Sequence, residues 1–465
     1  MTLLQIWDIM NIEEYKKIYM VGIGGIGMSA LARYFLMLGK DVAGYDRVRT
    51  RLTDKLMKEG ARIHFKEEPE MVKKDYDRPE ETLVIFTPAV SSSHTELVYF
   101  RQKGFEVLKR SEVLGEITKN KKCIAVAGTH GKTTISAMIA HLLKTADIPC
   151  NAFLGGISKN FQTNAVISKN SEWMVAEADE FDRSFLKLFP DSAVITSCDP
   201  DHLDIYGNME AMQNAYREFI NQVKQDGSIL IRKDIEILAS GKKNASLFTY
   251  SLDPGADFYV TGKELSGGEY YFDLHTPSET ISGLKTILPG HLNVENAVAA
   301  AAVGYMLGIH KNTITQAIGT YQGVKRRFDL HINREDAVYI DDYAHHPKEI
   351  ESFLRSVREL YPGRKITGVF QPHLYTRTRD FADDFAKSLS ILDELILLDI
   401  YPARELPISG VTSEIIFRKV SSGHKILCSK ENLMMELKKR HPDILLTMGA
   451  GDIDQFVEPI IKMLS

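Results

Sequence analysis

Cysteine is scarce in this sequence. Only Cys123, Cys150, Cys198 and Cys428 occur among 465 residues, and no two stand at metal-ligand or redox spacing. That argues against a disulfide framework and for reduced thiols in a cytosolic protein. An excess of basic charge is also missing. The formal net charge is −5, which leaves no global field for nucleic acid or an anionic membrane. No apolar run approaches the roughly 20 residues that cross a bilayer. The opening MTLLQIWDIMNIEEYKK has no basic stretch ahead of its apolar residues, and Asp8, Glu13 and Glu14 interrupt or follow them. That is not the pattern of a secretory leader. Low-complexity tracts and short repeats are absent too. These absences lead to the expectation of a cytoplasmic protein with no nucleic-acid partner and no membrane insertion.

What is present is ordinary globular material, 44% apolar and 26% charged. At roughly 150 residues per domain, the length predicts three domains. Short apolar runs alternate with helical patterns almost throughout, the mark of parallel α/β units. Strands are expected near 18–23, 42–45, 62–65, 83–87 and 106–108. Between the first two, Ile26, Ala30, Leu31, Tyr34, Phe35 and Leu38 recur at helical spacing. A second block restarts with a strand at 123–127 and a helix over 134–144, with further strands at 173–177 and 193–196. Residues 241–290 read as a peripheral antiparallel portion, and 293–307 as a buried, Ala-rich helix. A third block follows a turn at 323–327, with strands at 338–341, 366–370, 395–398 and 444–448.

The first candidate site is Gly22-Ile23-Gly24-Gly25-Ile26-Gly27, a G-x-G-x-x-G loop between a strand and a helix. Its glycines let the backbone approach a diphosphate, and the helix N-terminus attracts the charge. Asp46, at the end of the next strand, stands where an acid would meet a ribose hydroxyl. NAD(P) and a UDP-sugar both satisfy this pattern, and an unliganded strand-to-helix turn is the bland alternative.

The second is Gly128-Thr129-His130-Gly131-Lys132-Thr133-Thr134, a shortened relative of the Walker A loop with Val126 where the first glycine would stand. Backbone amides would surround phosphates, Lys132 would neutralise charge and the Thr133 hydroxyl would ligate Mg²⁺. A dehydrogenase needs no such loop. The two together require a reaction that joins a diphosphate-bearing substrate to nucleoside-triphosphate chemistry.

Acids and imidazoles follow the later strands. Glu177-Ala178-Asp179-Glu180-Phe181-Asp182 puts four carboxylates in six residues. An isolated charge run is usually a solvated face, but a strand's C-terminal end is where α/β sites form, and Mg²⁺ prefers such hard oxygens. Asp199-Pro200-Asp201-His202-Leu203-Asp204 follows the next strand, and His202 among carboxylates reads as a metal ligand. Arg326-Arg327-Phe328-Asp329, residues 341–347 (DDYAHHP) and residues 371–380 (QPHLYTRTRD) gather cationic groups suited to carboxylates and phosphates.

Taken together, GIGGIGMSALA (22–32), AGTHGKTT (127–134), EADEFDRSFL (177–186), DPDHLD (199–204), NVENAVAA (293–300), KRRFD (325–329), DDYAHHP (341–347), FQPHLYTRTRDF (370–381), DIYPARE (399–405) and TMGAGD (447–452) resemble the Mur ligase family in kind and order. They span nearly the whole chain. Ser197, Leu292, Phe181 and Arg183 depart from the family pattern, which has Asn, His and two small residues there.

The resemblance implies an α/β fold of three domains. A Rossmann-like N-terminal domain (1–112) would bind the UDP-sugar, a central P-loop-type ATPase domain (113–324) would bind ATP, and a C-terminal Rossmann-like domain (325–465) would receive the amino acid. It implies ATP-dependent ligation of L-alanine to the carboxylate of UDP-N-acetylmuramate, with a tripeptide as the alternative amine. ATP and Mg²⁺, or Mn²⁺ in its place, would be required, and the assembly would be a monomer or homodimer. Lys132, His202, His345, His373 and Arg377 fall on its catalytic positions. Gly128, Thr129, His130, Gly131, Lys132, Thr133, Thr134, Asn293, Asn296, Arg327 and Asp342 fall on nucleotide-binding ones. Gly22, Gly24, Gly25, Ile26, Gly27, Asp46, Ser91, His346, His373 and Arg377 fall on substrate-binding ones, and Thr133, Glu177 and His202 on metal ligands.

Overall fold

The computed structural model describes residues 12–465 except 202, 243 and 404. The chain forms two compact units. The first runs to Ser251 and takes in Gly255–Tyr259 and Ala299–Ala317; the second comprises Leu252–Pro254, Val260–Val298 and Ile318–Ser465.

The first unit holds two sheets. One is wholly parallel, in the spatial order Arg62–His64, Asp41–Tyr45, Lys17–Val21, Thr82–Phe86, Glu106–Lys109. Residues 18–21 and 82–85 are buried without alternation, as inner parallel strands covered on both faces must be. The order reverses between Lys17–Val21 and Thr82–Phe86, which makes their C-terminal ends a topological switch point. The second sheet runs Ala245–Tyr250, Gly227–Arg232, Ser192–Ile195, Lys122–Ala127, Trp173–Ala178, Cys150–Ser158, Thr163–Val166. Only the last of these is antiparallel to its neighbour. Its switch point lies between Lys122–Ala127 and Ser192–Ile195.

These two sheets share one apolar core that extends from Ile12 to Ala239. The cause is the helix Ile26–Met37, in which every residue from Met28 to Phe35 is buried. One face lies on the first sheet; another meets Cys150–Ser158 and Thr163–Val166. Asn164 fixes that second contact, its Nδ2 donating to Ser29 Oγ at 3.0 Å. Arg33, buried on the same helix, pairs with Glu59 at 2.7 Å and hydrogen-bonds Asn164. Helical spacing in the sequence shows one apolar face, and the structure uses more than one.

The second unit contains a three-stranded sheet, Tyr259–Ser266, Glu269–His275 and Thr280–Thr286, with the last two antiparallel. It also contains a six-stranded sheet ordered Asp329–Asn333, Val338–Asp342, Ile444–Met448, Ile366–Phe370, Glu394–Leu397, His424–Leu427, parallel except for its first pair. The antiparallel portion expected over 241–290 is thus found at 259–286, while Ala245–Tyr250 is instead a parallel edge strand of the central sheet. The Ala-rich helix is His291–Met306, buried from Ala297 to Val303. Among the described residues no helix is long and apolar enough to cross a membrane. All four cysteines are free and buried; burial pushes the thiols of Cys123, Cys150 and Cys198 up to about 12, which leaves them unreactive.

Candidate active site

The glycine loop of the first sheet follows Val21 and opens the helix at Ile26. Asp46 lies beside it: one carboxylate oxygen accepts the Gly24 amide at 2.7 Å and the other accepts the Val48 amide at 3.1 Å. The sequence-expected acid and the sequence-expected loop are therefore brought together. Ser91 is in the loop beyond Thr82–Phe86, across the switch point, where its hydroxyl meets Ser93 Oγ at 2.7 Å.

The second loop leaves the central strand at Ala127 and starts the helix Lys132–Thr145. No side chain caps that helix, so its first-turn amides face the loop, as anion-binding helix ends do. The loop is tied to the segment following Ser192–Ile195. Thr196 Oγ1 donates to His130 O at 2.5 Å, and the His130 amide donates to Ser197 Oγ at 2.9 Å. The Thr129 hydroxyl exchanges hydrogen bonds with the Asp199 backbone at 3.0 Å, and the His130 ring lies 3.1 Å from the Asp199 carboxylate. Ser197 thus supplies an acceptor to the loop backbone.

Lys132 Nζ donates to Gly128 O at 2.7 Å and to both oxygens of Glu180, at 2.9 and 2.7 Å. Burial alone would lower the lysine, but Glu180, Asp179 and Glu177 together hold it above its ordinary value. Its charge is therefore kept at neutral pH. The Thr133 hydroxyl is 3.1 Å from Glu177 Oε2, and the other Glu177 oxygen accepts the Gly155 amide at 2.5 Å.

This pair decides whether the site suits Mg²⁺. Ligands at about 2.1 Å in an octahedron put neighbouring oxygens roughly 3 Å apart. Thr133 Oγ1 and Glu177 Oε2 already have that spacing and fit two adjacent ligand positions. Among the described residues no group of three or more His, Cys, Asp and Glu side chains converges on a metal position. His202 lies outside the described residues.

Sequence reasoning singles out Glu177 and passes over Glu180, although both stand in one acidic run. Glu180 is 1% exposed. Its only sequence signal is its place beyond the strand; its partner lies 48 residues away.

In the second unit, the segments that follow Val338–Asp342 and Ile366–Phe370, the strands on either side of Ile444–Met448, collect most of the remaining candidates. Asp342 accepts the amides of Phe328 and Ala344, both at 2.7 Å. Burial pushes its carboxyl up to about 6, against the pull of Arg327. The Arg327 and Arg326 guanidiniums lie over the Tyr343 ring, 4.8 and 5.2 Å from its centre. His345 Nδ1 is 3.0 Å from Tyr343 O and 3.4 Å from Glu349. The rings of His345 and His373 are 6.0 Å apart, His373 stacks on Tyr401 at 5.8 Å, and Arg377 reaches His373 Nδ1 at 3.4 Å. His345, His373 and Arg377 therefore form one group. Tyr401 is a member that sequence reasoning did not single out. His346 caps the helix Pro347–Leu360, accepting the Lys348 amide, and packs on Phe381 at 5.2 Å. Asn293 Nδ2 donates to Pro289 O at 2.7 Å, and Asn296 Nδ2 to Asn293 Oδ1 at 3.4 Å, in the first turns of His291–Met306.

Comparison with known proteins places these sites in one family. Residues 17–122 match the profile described as Mur ligase family, catalytic domain; 126–304 match the Mur ligase middle domain; and 326–451 match the Mur ligase, glutamate ligase domain. A UDP-N-acetylmuramate–L-alanine ligase of Parabacteroides distasonis is 51% identical over 455 residues, 98% of each chain. One of Phocaeicola vulgatus is 49% identical, covering 98% of this chain and 100% of its own. Among solved structures, a UDP-N-acetylmuramate-alanine ligase of Thermotoga maritima superposes with a TM-score of 0.79 at 29% identity, covering 96% of this chain and 99% of that one. A murein peptide ligase of Psychrobacter arcticus shares the fold, with a TM-score of 0.72 at 21% identity over 97% and 98% of the two chains. From end to end, the chain belongs to the Mur ligase family.

Proposed function

We propose that this protein joins L-alanine to the carboxylate of UDP-N-acetylmuramate at the expense of ATP, in the cytoplasm, as a step of peptidoglycan precursor synthesis. The observation that carries the reading is end-to-end identity near one half with relatives bearing that activity in their names. The loops support it, since one suits a diphosphate and the other a triphosphate. We assign UDP-sugar binding to 1–112, ATP binding to 113–324 and amino-acid binding to 325–465.

A carboxylate acylates poorly because its leaving group would be oxide. Transfer of the γ-phosphoryl to a carboxylate oxygen, with ADP leaving, gives an acyl phosphate. The alanine nitrogen then attacks the carbonyl carbon, phosphate leaves, and the amine gives up a proton. ATP and the UDP-sugar acid are both anionic, so catalysis consists mainly of positioning and charge compensation. The first-turn amides of Lys132–Thr145 and the Lys132 ammonium would hold the phosphates. Thr133 and Glu177 would hold Mg²⁺, which offsets charge on the β- and γ-oxygens when bound. Arg327 and Asp342 are assigned to the nucleotide, and His373 and Arg377 to the substrate carboxylates. Arg377 is buried to 6% exposure beside His373, so it is held in place before a carboxylate arrives.

Phosphate release with UDP-N-acetylmuramate, ATP and Mg²⁺ tests the reading against a panel of L-alanine, glycine, L-serine and a cell-wall tripeptide. L-Alanine should give the highest kcat/KM. A preference for the tripeptide would transfer the assignment to the murein-peptide class, which at present has only fold-level likeness in its favour.

A further inference from the structure

A lysine ammonium has three N–H donors. Around Lys132 three acceptors are in place: Gly128 O and the two oxygens of Glu180, all within 2.7–2.9 Å. A phosphate oxygen can bond this ammonium only by displacing one of them. Glu180 is almost wholly buried, so water does little to weaken its hold.

The chain also invests in keeping Glu180 there. The Tyr206 hydroxyl donates to Glu180 O at 2.6 Å, the Phe185 amide donates to Asp179 O at 2.9 Å, and Lys109 pairs with Asp182 at 2.8 Å. Between these anchors Asp182 and Arg183 both take left-handed backbone, with φ of 54° and 52°. Two consecutive non-glycine residues in that region are costly and persist only where surroundings over-determine them, typically at functional sites.

We propose that Glu180 is an internal competitor for the phosphate loop. It is a positioning residue that holds Lys132 across the loop, and the terminal phosphates of ATP bind by exchanging with its carboxylate. The inference rests on residues 128–134 being the ATP loop. Under it Glu180 sets nucleotide affinity from the protein side and limits how tightly ADP is retained after turnover.

The test is calorimetric titration of the full-length protein with ADP and with a non-hydrolysable ATP analogue plus Mg²⁺. Wild type, Glu180→Gln, Glu180→Asp and Lys132→Ala are compared, with thermal melts to check folding. Glu180→Gln should bind nucleotide more tightly, on the order of tenfold, and Glu180→Asp, whose carboxylate is withdrawn by one carbon, by a smaller factor. A purely structural role would loosen binding or leave it alone. If Glu180→Gln binds as wild type does or more weakly, the proposal is overturned; if that variant does not fold, the same criterion applies to Glu180→Asp. Lys132→Ala binding nucleotide normally would instead sink the reading of the loop, a distinct outcome.

Discussion

Two strand–loop–helix turns in this molecule carry the same backbone device with different chemistry around it. Residues 22–27 contain no charged side chain, and their charged neighbours are Asp46, bonded to the Gly24 amide, and Arg110, packed beside Gly27. Residues 128–134 contain a lysine locked to a buried glutamate, and a threonine whose hydroxyl donates to a second carboxylate, Glu177, at 3.1 Å. The first loop is tied through the backbone amides of Gly22, Ile23 and Gly24 to residues 45–46, whereas the second is tied to residues 196–199 through the side chains of Thr129, Thr196 and Ser197. A loop that only grips a diphosphate needs amides and a helix end. A loop at which a phosphoryl group moves must also offset developing charge and hold its groups still. The pairing of glycine turn with helix N-terminus is thus common to both, and under the proposed function the side chains divide holding from reacting.

Alanine in place of a loop glycine should break the comparison most visibly. Gly128 has φ +137°, and a Cβ there would lie 1.9 Å from Thr196 Oγ1 and 2.8 Å from the Ser197 backbone nitrogen. Gly128→Ala should cost about 3 kcal/mol or more, from backbone strain and overpacking together, and show a clearly lowered Tm. A Cβ on Gly24 would meet Thr53 Cγ2 at 2.7 Å and Asp46 Oδ2 at 2.8 Å, both ends of side chains. Gly24→Ala should cost about 1 kcal/mol and raise KM for the UDP-sugar with kcat little changed. Equal losses at the two positions would mean that the loops are equally constrained.

A smaller effect extends the contrast to a third strand-end acid. Asp46 is bonded at the rim of its loop, whereas Asp342 is buried with a carboxyl raised from 3.8 to about 6. A raised carboxyl binds its proton more tightly when folded, so its contribution to stability is full below pH 4 and is lost as pH rises through 6. Relative to Asp342→Asn, the wild type should lose about 2 kcal/mol between pH 4 and pH 7, read from denaturant unfolding at each pH. A difference that does not change with pH would show that the Phe328 and Ala344 amides and Arg327 fully compensate the ionised form.

The strands that the sequence reveals are those with apolar runs, such as 18–21, 123–127 and 444–448, because inner parallel strands must be apolar on both faces. Cys150–Ser158 escapes because Gly155 and Gly156 interrupt it, and Thr163–Val166 because it is short and polar at an edge. Both glycine loops, Asp46, Glu177 and the His373–Arg377 pair are legible from local motifs. The Lys132–Glu180 pair, the Ser197 bond to His130 and the stacking of Tyr401 on His373 join residues far apart in sequence, and no local pattern encodes them. The shared core is hidden for a related reason: the helical spacing at 26–38 marks a face but not what covers the others.

The division of labour between the loops is tested most directly by titrating Lys132→Ala separately with UDP-N-acetylmuramate and with a non-hydrolysable ATP analogue. Binding of the UDP-sugar should match the wild type, while nucleotide binding falls by at least tenfold, about 1.4 kcal/mol. Loss of UDP-sugar binding with nucleotide binding intact would contradict the account.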